Sequence, residues 1–144
     1  MKHREITEKI LGSSFEVHKF LGNGFQEVIY QRAMAIEFRR MGLYFELEVN
    51  MKVYYLREKV GERRVDFFVE GKISVELKAV IKLDNSNLAQ AKNYPEAYNL
   101  EVGLLLNFGA ISLDFKRIGN AKFKDNSISA KSQNPPKSWL RQFN

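Results

Sequence analysis

Apolar residues recur at near-helical spacing at Ile6, Ile10, Val17 and Leu21, which predicts an amphipathic helix over residues 6–20 that stops at Gly22-Asn23-Gly24. A second helix is predicted over residues 26–40. Val28, Ile29, Ala33 and Ile36 form its expected core stripe, while Glu27, Tyr30 and Met34 share a neighbouring face that could look into a cleft.

The period then shortens to two. Leu47, Val49, Met51 and Val53 alternate with Glu46, Glu48, Asn50 and Lys52, as in a strand with one polar face, and Arg57-Glu58-Lys59 turns the chain back. Residues 65–69 and 73–79 are two further β-rich runs separated by Glu70-Gly71-Lys72, so three strands are expected to form an antiparallel meander. The capping cluster Asp84-Asn85-Ser86 opens a helix over residues 87–99, and the apolar run of residues 102–106 follows. This is a β-α-β crossover, expected to be right-handed and to set the two strands it joins parallel. Residues 112–118 supply a last strand. The predicted fold is α/β, a mixed sheet flanked by helices.

Strand parity puts chemistry on one face. Ile73, Val75, Leu77 and Ala79 share one side of their strand, while Ser74, Glu76 and Lys78 share the other. A two-residue loop at Glu70-Gly71 would turn Asp66 away from Glu76. A three-residue loop of Glu70, Gly71 and Lys72 instead pairs Val69 with Ile73 and sets Asp66 opposite Glu76, with Gly71 taking a positive φ. That register is the expectation. Two carboxylates and a lysine so grouped suit Mg²⁺, which is commonly held by one or two carboxylates plus substrate phosphate. Lys78 would then either orient a nucleophile or stabilise charge growing on phosphorus. Taken alone, such a trio is more often a solvated strand face. Arg64 shares the parity of Asp66 and is expected to face the cleft and clamp a phosphate, with a surface role as the equal alternative; Lys82 is a second candidate contact to nucleic acid. His3 and His18 lack a second histidine at ligand spacing, though His18 could approach Glu27 beyond the glycine turn.

Composition narrows the classes. The chain has 144 residues, 44% hydrophobic and 12% aromatic, enough for one core and one ordinary domain. With 23 Lys and Arg against 17 Asp and Glu, a formal charge of +6 suits a polyanionic partner. Without cysteine there are no disulfides and no thiolate zinc site, and no run approaches the roughly 20 apolar residues of a membrane span. A soluble, cytoplasmic protein is expected. Residues 121–144 change character, being rich in Ser, Asn and Lys, and read as an extension to a domain over residues 1–120. Within the extension Trp139, Leu140 and Phe143 are expected to dock, on the same domain in preference to a second subunit of a homodimer.

Gly24-Phe25-Gln26-Glu27-Val28-Ile29-Tyr30, Val75-Glu76-Leu77-Lys78-Ala79 and Leu105-Leu106-Asn107-Phe108-Gly109 appear in that order. Together they resemble the GxxExxY family of the PD-(D/E)XK nuclease superfamily, over residues 6–118. The resemblance implies a restriction-endonuclease-like fold. It also implies Glu27 as an acidic residue that binds metal directly or through water, Asp66 and Glu76 as metal ligands, Lys78 as the catalytic lysine, and Gln90 with Tyr94 as a helical pair at the site. Pro95 follows Tyr94 where the family commonly has leucine, which strains that placement. The reading is a Mg²⁺- or Mn²⁺-dependent nuclease acting on nucleic acid, DNA in preference to RNA. Its rival is a non-catalytic module that keeps the fold and binds nucleic acid or protein.

Overall fold

The computed structural model describes residues 3–125. In chain order it contains α1 (Arg4–Leu21), α2 (Glu27–Arg40), β1 (Phe45–Tyr55), β2 (Glu58–Val69), β3 (Ile73–Lys78), α3 (Asn85–Ala97), β4 (Val102–Asn107) and β5 (Asp114–Gly119). The strands form one sheet in the order β1-β2-β3-β4-β5. Pairing is antiparallel between β1 and β2, β2 and β3, and β4 and β5, and parallel between β3 and β4, as a crossover through α3 requires. The expected mixed sheet is therefore present. Residues 126–144, including Trp139, Leu140 and Phe143 with their expected docking, lie outside the described residues. Among the described residues no helix is long and apolar enough to cross a membrane.

Both faces of the sheet are covered, which is why β4 is buried along its whole length and reads as an uninterrupted apolar run. Phe67, Val75, Leu77, Leu104 and Leu106 pack against Ile10, Tyr30, Met34 and Phe38 of α1 and α2. On the opposite face Val65 and Phe68 meet Tyr94, and Leu105 meets Ala91 of α3. Each such fully buried side chain contributes about 1.5–3 kcal/mol relative to exposure.

The stripe expected on α2 is corrected. Tyr30 and Met34 are fully buried, whereas Val28 is 39% and Ile36 56% exposed. The helix is rotated so that its aromatic and methionine residues, Tyr30, Met34 and Phe38, face the sheet. Ala35 joins them, and Val28 and Ile36 are left outside. Capping follows the sequence more closely: Asp84 accepts the Asn87 amide, and the Asn87 side chain accepts the Asp84 amide in return. Pro95 sits inside α3, near its end, and the helix continues to Ala97.

The ends of β3 and β4 are locked together beside the site. The Asn107 side chain accepts from the Val80 and Gly109 amides, both at 3.0 Å, and donates to the Val80 carbonyl at 2.9 Å. Gly109 lies so close to this segment that a Cβ would meet the Val80 amide nitrogen and would lie 2.5 Å from Ala79 C and Val80 O. Gly109→Ala must therefore displace backbone next to Lys78. It is expected to cost about 2 kcal/mol, on the scale of overpacking, seen as a lower midpoint in urea with an unchanged slope; a wild-type midpoint would contradict the clamp.

Candidate functional site

The β2–β3 turn has the expected register. Val69 pairs with Ile73, Phe68 with Ser74 and Phe67 with Val75, and Glu70 and Gly71 adopt φ of 54° and 63°. Continued by one step, this register sets Asp66 opposite Glu76. The ladder stops there, because the Asp66 carboxylate inserts itself where the next main-chain partner would stand and Oδ2 accepts the Leu77 amide at 2.7 Å. Asp66 is thus fixed to β3 by its own side chain.

Five charged groups meet around this break, Asp66, Glu76, Glu27, Lys78 and Arg63. The Asp66 carboxyl is pushed up to about 6, first by burial and then by the charges of Glu76 and Glu27; the Leu77 amide and Lys78 oppose the rise. Glu76, 5% exposed, is also raised, again mainly by burial, with Arg63 and Lys78 pulling it down and Glu27 pushing it up. Lys78, half-buried at the end of β3, donates to Gln90 Oε1 of α3 at 3.4 Å. Glu27, the first residue of α2, is exposed and electrostatically close to both carboxylates.

Glu27 is aimed by the turn before it. The Tyr30 hydroxyl donates to the Gly22 carbonyl at 2.6 Å and accepts the Phe25 amide at 3.2 Å, while its ring stacks on Phe108 with centroids 4.6 Å apart. Tyr30, on the face of α2 that could look into a cleft, braces the α1–α2 turn from within the core. Nothing in the surroundings of Gly24 explains a glycine there. His18 faces the Ala110 carbonyl, with Nε2 at 3.0 Å.

Two further candidates take the following positions. Tyr94 is fully buried, with its ring against Phe68 and Tyr98, and so stands in the core. Gln90 lies near the tip of β3, but one turn onward the same face of α3 lies over the sheet. Arg64 is exposed and pairs with Glu48 at 3.0 Å on the β1–β2 ribbon, whereas its neighbour Arg63 reaches the site. Simple alternation fails here. Val65 and Phe68 pack in the same cluster although three residues apart, and across from them Glu48 has φ of 52° and makes no pair with Asp66. The irregularity turns each residue before Asp66 to the face opposite that given by counting back from Phe68. Lys82 is exposed in the loop after β3.

Arg63 is the site residue that sequence reasoning missed. Its Nη2 donates to Glu76 Oε2 at 2.7 Å. The available signal was Phe67-Phe68, two adjacent aromatics that need opposite faces of a doubly covered strand, but nothing in the sequence marks the break at Asp66.

Among the described residues no three Asp, Glu or His side chains converge into a metal-holding group, so Glu27 does not complete a three-ligand set. Asp66 and Glu76 nevertheless suit a hard divalent ion that retains most of its water. Glu76 Oε1 is buried without a hydrogen-bond partner among the described residues, and the Asp66 carboxyl is raised by burial first and then by the charges of Glu76 and Glu27.

Compared with known families, residues 4–118 match the model of a family described as the PD-(D/E)XK nuclease superfamily. A search of curated proteins found no match. One solved structure, titled "Crystal structure of SSO0001", aligns over 80% of this chain and 77% of its own, with 13% identity and a TM-score of 0.43.

Proposed function

The chain belongs to the PD-(D/E)XK nuclease superfamily, and from that premise we propose that it is a metal-dependent nuclease of the GxxExxY type that hydrolyses phosphodiester bonds in nucleic acid, with DNA as substrate in preference to RNA. The observation that carries this reading is Asp66, fixed by the Leu77 amide and raised by burial and then by the charges of Glu76 and Glu27, with Lys78 on the same strand as Glu76.

In this reading Asp66 and Glu76 hold Mg²⁺ or Mn²⁺, and Glu27 acts through a bound water. A divalent ion supplies Lewis-acid polarisation of the phosphate and an acidified water. The protein's own groups do the rest. Asp66 keeps one oxygen on the Leu77 amide, so its other oxygen has a fixed direction. Lys78 brings an ammonium to the end of β3, where it orients the attacking oxygen or stabilises charge on the phosphate, and Gln90 restrains it. The Asn107 clamp keeps the main chain after Lys78 from drifting, because the Phe108 amide also donates to the Lys78 carbonyl at 2.8 Å.

The test is incubation of the purified protein with single- and double-stranded DNA and RNA in Mg²⁺, in Mn²⁺ and in chelator. Metal-dependent cleavage supports the reading; binding without cleavage under every condition would favour the non-catalytic module. Affinity should also fall with salt, because the charge of +6 is unaccompanied by a base-reading motif. Neutralising about three phosphates gives a log–log slope of roughly −3, about a 40-fold loss between roughly 50 and 200 mM salt. A flat salt dependence would count against an electrostatic substrate contact.

A further inference from the structure

Arg63 and Glu76 form a buried ion pair at the centre of the proposed site, with side chains 20% and 6% exposed and a contact of 2.7 Å. The pair is one-legged. Arg63 Nη1 and Glu76 Oε1 are both buried, and neither has a hydrogen-bond partner among the described residues. An arginine built only to anchor a carboxylate would present its fork to both oxygens. Asp66 differs, being tied to the main chain by the Leu77 amide. One carboxylate is thus fixed to the backbone and the other rests on a side chain.

We propose that Arg63 is a resident counter-cation: it neutralises Glu76 through Oε2 while the site is empty of metal, and a divalent ion that takes the unpaired Oε1 competes with the guanidinium for the charge of the same carboxylate. This rests on the nuclease reading above and adds regulation of the same site. The physical reason is that a buried carboxylate without positive charge is costly, and removing one partner of such a pair leaves that cost uncompensated. Two cations cannot both be fully served by one buried carboxylate, so Arg63 sets the ion concentration at which the site fills. The exposed pairs of the neighbouring ribbon, Arg64 with Glu48 and Lys59 with Glu62, have no such role because water can replace either partner.

Mn²⁺ binding to the full chain, read from the free-ion electron paramagnetic resonance signal, tests this without substrate. Arg63→Gln is expected to bind Mn²⁺ about tenfold more tightly than wild type, a change typical of altering a ligand's neighbour. Arg63→Lys, which keeps the charge, should stay close to wild type. Binding to Arg63→Gln that is unchanged or weaker overturns the proposal. Wild-type protein gives a second measurement that needs no variant to fold: saturating Mg²⁺ should shift the Arg63 side-chain N–H resonance and speed its exchange with water. An unmoved Arg63 resonance at saturation overturns the proposal whatever the variants do. If wild type binds no Mn²⁺ at all, the nuclease reading fails and this proposal fails with it, whereas wild-type binding that Arg63→Gln does not strengthen sinks the counter-cation alone.

Discussion

Alanine at Asp66, Glu76 or Lys78 is expected to lower the cleavage rate at least about a hundredfold in each case, the scale of removing one main electrostatic element from an active site. The three act through different losses. Asp66→Ala removes the carboxylate that replaces a ladder contact at the break between β2 and β3 and frees the Leu77 amide. Glu76→Ala leaves Arg63 buried without its partner, so this variant should also lose stability. Lys78→Ala should leave the fold intact, because among the described residues the hydrogen bond of its ammonium is the long contact to Gln90. Single-turnover cleavage at saturating Mg²⁺, with circular dichroism on each variant, separates these outcomes. Full activity in all three would remove the site from consideration, as would equal cleavage by wild type in excess chelator.

The second large effect concerns stability and has the opposite sign from an ordinary loss. The Asp66 carboxyl is raised from 3.8 to about 6, mainly by burial. Its stabilising contribution is therefore fully present below about 3.8 and is lost as pH rises through about 6. Glu76 is raised as well and acts in the same direction. Asp66→Asn keeps an acceptor for the Leu77 amide and removes the ionisation, so in chelator at about pH 7.5 it should be more stable than wild type by about 3 kcal/mol, the worth of the shift. Near pH 4 the two should melt together. Added Mg²⁺ should raise the melting temperature of wild type and leave Asp66→Asn unmoved, because only a state with the intact ligand pair gains from binding. If Asp66→Asn proves less stable than wild type at pH 7.5 in chelator, the ionised carboxylate is compensated by something other than metal. An inactive but more stable variant is the expected mark of a site held at the expense of the fold.

The sheet was legible because each of its elements depends on local pattern. The apolar run of β4 requires cover on both faces, the capping cluster at Asp84 starts α3, and the turn at Glu70-Gly71-Lys72 has one register that keeps the apolar face of β3 inward. The carboxylate pair and Lys78 followed from that register. What was not legible depended on long-range fit. Which stripe of α2 faces the sheet is decided by the space that Tyr30, Met34 and Phe38 fill against Phe67 and Phe108, not by the helical period, which several stripes satisfy equally. Arg63 was hidden by a backbone irregularity shared by Glu48 and Asp66, two residues on different strands. Tyr94 and Gln90 are four apart on one helix, yet Gln90 meets Lys78 at the end of β3 while Tyr94 is buried against Phe68, so equal spacing gave unequal surroundings.

The brace made by Tyr30 bears on how the Gly-x-x-Glu-x-x-Tyr signature should be used in searching genomes. Its tyrosine serves architecture, tying Gly22 to Phe25 and resting on Phe108, whereas its glutamate alone lies beside the carboxylates. On the nuclease reading, a descendant that ceased to cut would still need the brace in order to fold, and would be free to lose the glutamate. Matches that keep the tyrosine but carry another residue at the middle position should therefore be sorted as heirs of the shape without the trade, and screened for binding before they are screened for cleavage.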